Sequence, residues 1–169
     1  MQNAKLTIRE TTEADLENVL ALWNDGEVMR YVGFPDGLGV DLPCLDRWLE
    51  WIESGRPLIN HYSVYAEEIG YCGETFYRID PQREHKAAMD IKLFPAARGQ
   101  GIASAALSFA IGQAFANGAS RVWVDPNPEN KKALALYRRL GFVEKPYPRD
   151  LRDGDQPVTT IYFELQKPQ

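Results

Sequence analysis

The chain has 169 residues, a formal net charge of −5 and 44% hydrophobic residues. That is enough for one domain with a proper core, and the acidity argues against nucleic acid as the main partner. No 18-residue apolar run, signal peptide or lipidation motif is seen, so a cytoplasmic protein without membrane contact is expected. Cys44 and Cys72 are too few and too far apart for a disulfide framework, and with only His61 and His85 a histidine zinc site is not expected.

In chain order, Leu6–Arg9 alternates like a strand, and Thr12 suits the cap of a helix over Glu13–Trp23 with Leu16, Val19, Leu20 and Trp23 on one face. A short helix is predicted over Asp25–Tyr31, then a glycine-rich loop over Gly33–Gly39. An amphipathic helix over Leu42–Glu53 carries Trp48 and Trp51. Tyr62–Ala66 and Ile69–Ile79 read as antiparallel strands, and Asp90–Phe94 as a further strand stopped by Pro95. After a glycine turn, a helix over Ile102–Asn117 spaces Ile102, Leu107, Ala110, Ile111, Ala114 and Phe115 helically and ends at Asn117-Gly118. Arg121–Val124 is a short strand broken by Asp125-Pro126-Asn127-Pro128. The next helix starts at Glu129 or Asn130 and stops before Gly141, with Ala133, Leu134, Tyr137 and Leu140 on one face. Gly141–Lys145 and Val158–Leu165 are the last strands, around a polar loop over Pro146–Pro157.

The turn Arg98-Gly99-Gln100-Gly101-Ile102-Ala103 carries the most chemistry. A strand, a glycine turn and a helix N-terminus aim backbone N–H groups at one point, with the positive end of the helix dipole behind them. Missing Cβ atoms let phosphate oxygens approach, and Arg98 adds a forked cation. The spacing excludes a Walker A loop and is too short for a dinucleotide fingerprint. An ordinary strand-to-helix turn with an exposed arginine accounts for the same residues. Tyr137 reads equally as a core aromatic with its hydroxyl at the rim, and Asn130 as a helix cap.

Two patterns at this separation resemble the GNAT superfamily of N-acetyltransferases. Arg98, Gly101 and Ala103 match its coenzyme A signature, and Asn130, Ala133, Tyr137, Gly141 and Phe142 match its later one. Leu6–Arg9 with Thr12, Asp15 and Leu16 is similar to the family's opening strand and helix. The resemblance implies a single domain over residues 1–169 of the α/β (α+β) class, with a mixed, mostly antiparallel sheet flanked by helices. It implies acetyl-coenzyme A as cosubstrate, no metal, and direct attack of a primary amine in a ternary complex.

By the same resemblance, amides from Arg98, Gly99, Gln100, Gly101, Ile102 and Ala103 would hold the pyrophosphate, Ser104 would add a hydroxyl, and Asn130 would meet the pantetheine arm. Backbone groups of the Asp90–Phe94 strand, Leu93 among them, would polarise the thioester carbonyl. The coenzyme would enter where that strand and Arg121–Val124 splay apart. Tyr137 would protonate the departing thiolate, a phenol near pKa 10 serving a thiol near 8.5. Asp90 is the candidate base, its alternative being a solvent-facing strand-edge residue, with Asp125 and Glu74 as further carboxylates near the acceptor. Arg98, Lys131, Lys132, Arg138 and Arg139 would supply positive charge at the phosphate end, although a solvated helix face explains the last four as well.

The acceptor side is expected to involve Trp23, Tyr31, Phe34, Asp36, Trp48 and the Arg149–Asp155 loop, while core packing also explains Trp48 and Trp51. Asp125-Pro126-Asn127-Pro128-Glu129-Asn130 is similar to a segment of aminoglycoside 6′-N-acetyltransferases, where the aspartate meets a substrate ammonium. That favours a small cationic amine. The N-terminal half also resembles the ribosomal-protein N-acetyltransferase branch, which implies a peptide acceptor. A non-catalytic acetyl-coenzyme A-binding module is the third reading, and a homodimer is compatible with all three.

Overall fold

Strand pairing sets the architecture of residues 5–169, the part of the chain described by the computed structural model. The strands are β1 (Leu6–Glu10), β2 (Ile59–Ala66), β3 (Gly70–Asp80), β4 (Lys86–Leu93), β5 (Arg121–Val124), β6 (Val143–Lys145) and β7 (Tyr162–Gln166). They form one sheet in the order β1-β2-β3-β4-β5-β7-β6. Every neighbouring pair is antiparallel except β4–β5, which is parallel and pairs only over Lys86–Ala88 with Arg121–Trp123. Beyond Ala88 and Trp123 the two strands part, and Asp125-Pro126 turns the chain away. The expected mixed sheet and the expected fork are both present.

Residues opposite one another in register share a sheet face. One face carries Tyr62, Tyr77, Ile79, Ala87, Met89, Val122, Val124 and Phe163, all buried against α4 (Ile102–Ala116) and α5 (Lys131–Arg139). The other carries His61, Ser63, Glu74, Phe76, Asp90 and Lys92 by register. It lies beneath α1 (Leu16–Trp23) and α3 (Leu42–Gly55), and the short α2 (Gly26–Met29) lies between them in the chain. Leu16, Val19, Leu45 and Leu49 form a separate apolar cluster where α1 meets α3.

Local chemistry explains the helix starts. Asp41 accepts the Cys44 N–H at 2.9 Å to cap α3, and Asn130 accepts the Ala133 N–H at 3.2 Å to cap α5. Gly141, at φ +93°, closes α5 in the left-handed conformation that glycine tolerates. Gly73 is required for a different reason: a Cβ there would lie 2.0 Å from the Lys92 carbonyl oxygen.

Several boundaries differ from the sequence reading. β4 begins at Lys86, not Asp90, because Ala87, Ala88 and Met89 are weak strand formers that pairing with β3 and β5 nevertheless recruits. β2 begins at Ile59, β6 at Val143 and β7 at Tyr162, where their partners' ladders begin. The helix expected from Glu13 opens as a 3₁₀ turn over Glu13–Asp15 before α1. Asp15 is the cause. Its fully buried carboxylate accepts the Thr12 N–H at 2.8 Å, a forked pair of bonds from Arg9 at 2.8 Å each, and the Tyr65 hydroxyl.

Burial alone would raise the Asp15 pKa, but Arg9, Tyr65 and the Thr12 N–H outweigh it and hold the carboxyl below its ordinary value. Its stabilising contribution is therefore present above the unfolded pKa of about 3.9 and is lost as pH falls through the lower folded value. Asp15→Asn is expected to cost about 3 kcal/mol at neutral pH and progressively less in acid. Urea titrations at pH 7 and pH 3 check both statements, and equal losses at the two pH values would refute the ion-pair account.

Candidate active site

The fork between β4 and β5 is the centre of the site. Alternate residues of an antiparallel strand turn their backbone groups to opposite edges. The Phe94 N–H reaches the Cys72 carbonyl at 2.9 Å and the Asp90 carbonyl accepts the Thr75 hydroxyl at 3.0 Å, both towards β3. The backbone groups of Met89, Ile91 and Leu93 therefore face the edge that β5 abandons. An extended ligand chain with amide groups could pair there as an added strand.

Downstream of the fork, Gly99 and Gly101 have φ of +75° and +77°, and a Cβ on either meets nothing within 4 Å. The turn thus presents bare backbone at the start of α4, where the N–H groups of Ile102, Ala103 and Ser104 precede the first intrahelical acceptor. This is a fitting cradle for a pyrophosphate. Arg98 turns inward: its Nε and Nη2 donate to the Leu93 carbonyl at 3.2 and 3.1 Å, and its Nη1 lies 3.6 Å from Glu27. It braces the turn against the fork edge. Gln100 donates to the Ala96 carbonyl at 2.9 Å, and Ser104 is half-buried on the first turn of α4. Lys131, Lys132, Arg138 and Arg139 are exposed. Gly101→Glu is expected to weaken coenzyme A binding about tenfold or more, by left-handed strain and by charge repulsion. Calorimetric titration checks this, and an unchanged affinity would sink the pyrophosphate assignment.

Tyr137 enters from α5. It is 6% exposed, packed edge-on against Phe142 with ring centres 5.6 Å apart. Burial, then the charges of Asp90 and Asp125, raise its pKa, so the phenol keeps its proton. Asn130 caps α5 through its oxygen.

The acceptor side of the sheet holds a buried polar network. Trp23 Nε1–H donates to both Glu74 oxygens at 2.9 and 3.0 Å. His61 Nε2 stands 2.9 Å from Glu74 Oε2 without hydrogen-bond alignment. His61 Nδ1 shares a 2.7 Å hydrogen bond with the Thr11 hydroxyl, which meets Ser63 at 2.7 Å. Lys92 Nζ lies 3.6 Å from Glu74 and pairs directly with Asp90. Trp48 stands edge-on to both Trp23 and His61.

Three of the residues expected on the acceptor side have partners within the protein. The Glu74 side chain is 4% exposed, and both of its oxygens meet groups inside the protein. Trp23 serves Glu74 and is half-buried. Tyr31 is held by Arg30, which donates to its hydroxyl at 2.9 Å and lies over its ring. Lys92, His61 and Tyr147 escaped the sequence reading. Lys92 had left a trace, since it lies two residues from Asp90 and so shares its face. His61 and Tyr147 left none, because register and a loop bring them in. Tyr147 donates to Asp125 Oδ2 at 3.3 Å. Asp125, half-buried at the end of β5, is shifted up by burial and then by Asp90, against the Tyr147 bond. Cys44 and Cys72 are free thiols. Among the described residues no cluster of His, Cys, Asp or Glu could hold a metal, and no helix is long and apolar enough to cross a membrane.

Residues 5–143 match the family model of the acetyltransferase (GNAT) domain, and the chain belongs to the GNAT family of acetyltransferases. Solved structures share its fold. Spermidine N-acetyltransferase from Vibrio cholerae, in complex with CoA and spermine, superposes with a TM-score of 0.77 at 19% identity over 95% of each chain. A phosphinothricin acetyltransferase from Sinorhizobium meliloti, bound to AcCoA, gives 0.77 at 18% over 95% of this chain and 88% of that one. Ribosomal-protein-alanine N-acetyltransferase from Brucella melitensis gives 0.75 at 24% over 95% and 99%. A search of curated protein sequences found no match. The protein is an acyltransferase of this family.

Proposed function

We propose that the protein moves an acetyl group from acetyl-coenzyme A to the primary amine of a small cationic acceptor. The supporting observation is the pair of carboxylates that flank the fork, Asp90 on β4 and Asp125 directly after β5. Phe76, opposite Asp90 in register, and Trp123, stacked on Tyr162, set aromatic surface beside these acids. Acids beside aromatic rings suit an organic ammonium. The Vibrio cholerae structure with spermine supports the compatibility of this fold with such a ligand.

In this reading the turn from Arg98 to Ser104 holds the pyrophosphate, Asn130 offers its amide N–H₂ to the pantetheine arm, and the fork edge at Met89, Ile91 and Leu93 pairs with that arm. The amine nitrogen attacks the thioester carbonyl carbon directly, the C–S bond breaks, and the sulfur receives the Tyr137 proton. Free-thiol release from acetyl-coenzyme A, followed across polyamines, aminoglycosides and short N-terminal peptides, tests the reading. Turnover with a small amine supports it. Turnover with peptides alone would assign a peptide acceptor, and silence with tight coenzyme binding would assign a binding module.

A further inference from the structure

Two carboxylates flank the fork, and their surroundings differ in kind. Both oxygens of Asp90 are committed: Oδ1 accepts the Ile91 N–H at 2.9 Å, and Oδ2 is paired with the Lys92 ammonium, itself anchored by buried Glu74. Asp90 is thereby tied to its own strand, with its charge already matched by the Lys92 ammonium. Asp125 meets only hydroxyl donors from side chains, Tyr147 at 3.3 Å and Thr160, and has no cation within ion-pair distance among the described residues. It also stands where β5 leaves the sheet, at the open end of the fork. From these positions we infer that Asp125 is the general base that takes the proton of the acceptor ammonium, with Tyr147 positioning it and Asp90 acting as a fixed counter-charge. This rests on the acetyltransferase reading above.

The proton balance closes. The acceptor R–NH₃⁺ gives one proton to the Asp125 carboxylate and becomes R–NH₂. The nitrogen lone pair forms the C–N bond, and the C–S bonding pair leaves on sulfur. Sulfur takes the proton of the Tyr137 hydroxyl, the nitrogen's surplus proton restores Tyr137, and Asp125 releases its proton to solvent. The groups facing Asp125 are Asp90 and its partner Lys92 from β4, Tyr137 from α5, Tyr147 from the loop after β6, Thr160 just before β7, and Tyr162 of β7 edge-on behind Tyr147. Burial and the Asp90 charge both raise the Asp125 pKa, which brings it nearer to that of a working base.

The test is the pH profile of kcat/KM with the best amine of the panel, with coenzyme binding measured calorimetrically in each variant to confirm folding. Asp125→Asn is expected to lower kcat/KM about 10²-fold or more and to abolish the acidic limb, while Asp125→Glu restores part of the rate. Asp90→Asn is expected to keep the limb and move it to lower pH, because a negative charge beside Asp125 is gone. Tyr147→Phe is expected to move it to higher pH, because the carboxylate loses a donor. A limb that persists in Asp125→Asn, or that vanishes in Asp90→Asn, overturns the assignment. A wild-type protein that releases no thiol with any amine overturns the acetyltransferase reading itself, and this inference with it.

Discussion

In Tyr137→Phe, kcat is expected to fall about 10²-fold or more while the dissociation constant for coenzyme A stays unchanged. The substitution is nearly isosteric. It keeps the contacts with Phe142 and Phe163, so the core beneath the fork is preserved. What it removes is the hydroxyl that would meet the departing sulfur. Burial and the charges of Asp90 and Asp125 disfavour the phenolate, so the proton is in place when the coenzyme binds. A phenol raised in this way is a reluctant acid on its own. An acceptor ammonium entering beside the two carboxylates would offset their charge and lower the phenol pKa, so that the acid strengthens as the ternary complex forms. Single-turnover thiol release together with calorimetry separates chemistry from binding. A kcat within about twofold of wild type would remove Tyr137 from the mechanism.

The second large effect is expected at Lys92. Its side chain is 14% exposed, and its ammonium lies between Glu74 and Asp90. Burial by itself would discharge the lysine, but the two carboxylates outweigh that and raise its pKa. Lys92→Met keeps the length of the side chain and deletes the charge, leaving buried Glu74 with His61 and Trp23 alone. A loss of about 3 kcal/mol at neutral pH is expected. The pH dependence has a definite sign. Burial would raise the Glu74 pKa, but His61, Lys92 and Trp23 outweigh it and hold the carboxyl well below its ordinary value. Its contribution is thus present above the unfolded pKa of about 4.3 and fades as pH falls through the folded one. The gap between wild type and variant should therefore narrow in acid. Urea titrations at pH 7 and pH 4 measure it. A loss under about 1 kcal/mol at pH 7 would mean that the pair contributes no more than an exposed one.

Both predictions concern residues on neighbouring elements, and the two were not equally legible. Tyr137 stood out in the sequence because its spacing from Asn130, Gly141 and Phe142 is local to one helix and its cap. The turn from Arg98 to Ala103 was visible for the same reason, since strand end, left-handed glycines and helix start are consecutive. Lys92 was passed over although Asp90 was singled out on the same strand face. Nothing in a list of residues says that Glu74 lies opposite Lys92, or that His61 reaches Glu74 from β2. Those meetings depend on strand register, which pairing over whole ladders decides.

The chain by itself determined the family, the helices, most strands, the glycine turn before α4 and the place of Tyr137 on α5, because each rests on short-range spacing and backbone conformation. Only the tertiary structure decided where β4 begins, since its Ala-rich start is a strand through its partners. It also buried Glu74 among Trp23, His61 and Lys92, paired Asp90 with Lys92, and set Asp125 beside Tyr147 and Thr160. A carboxylate's chemistry follows from the charges and dipoles around it, and the fold brings those from distant parts of the chain.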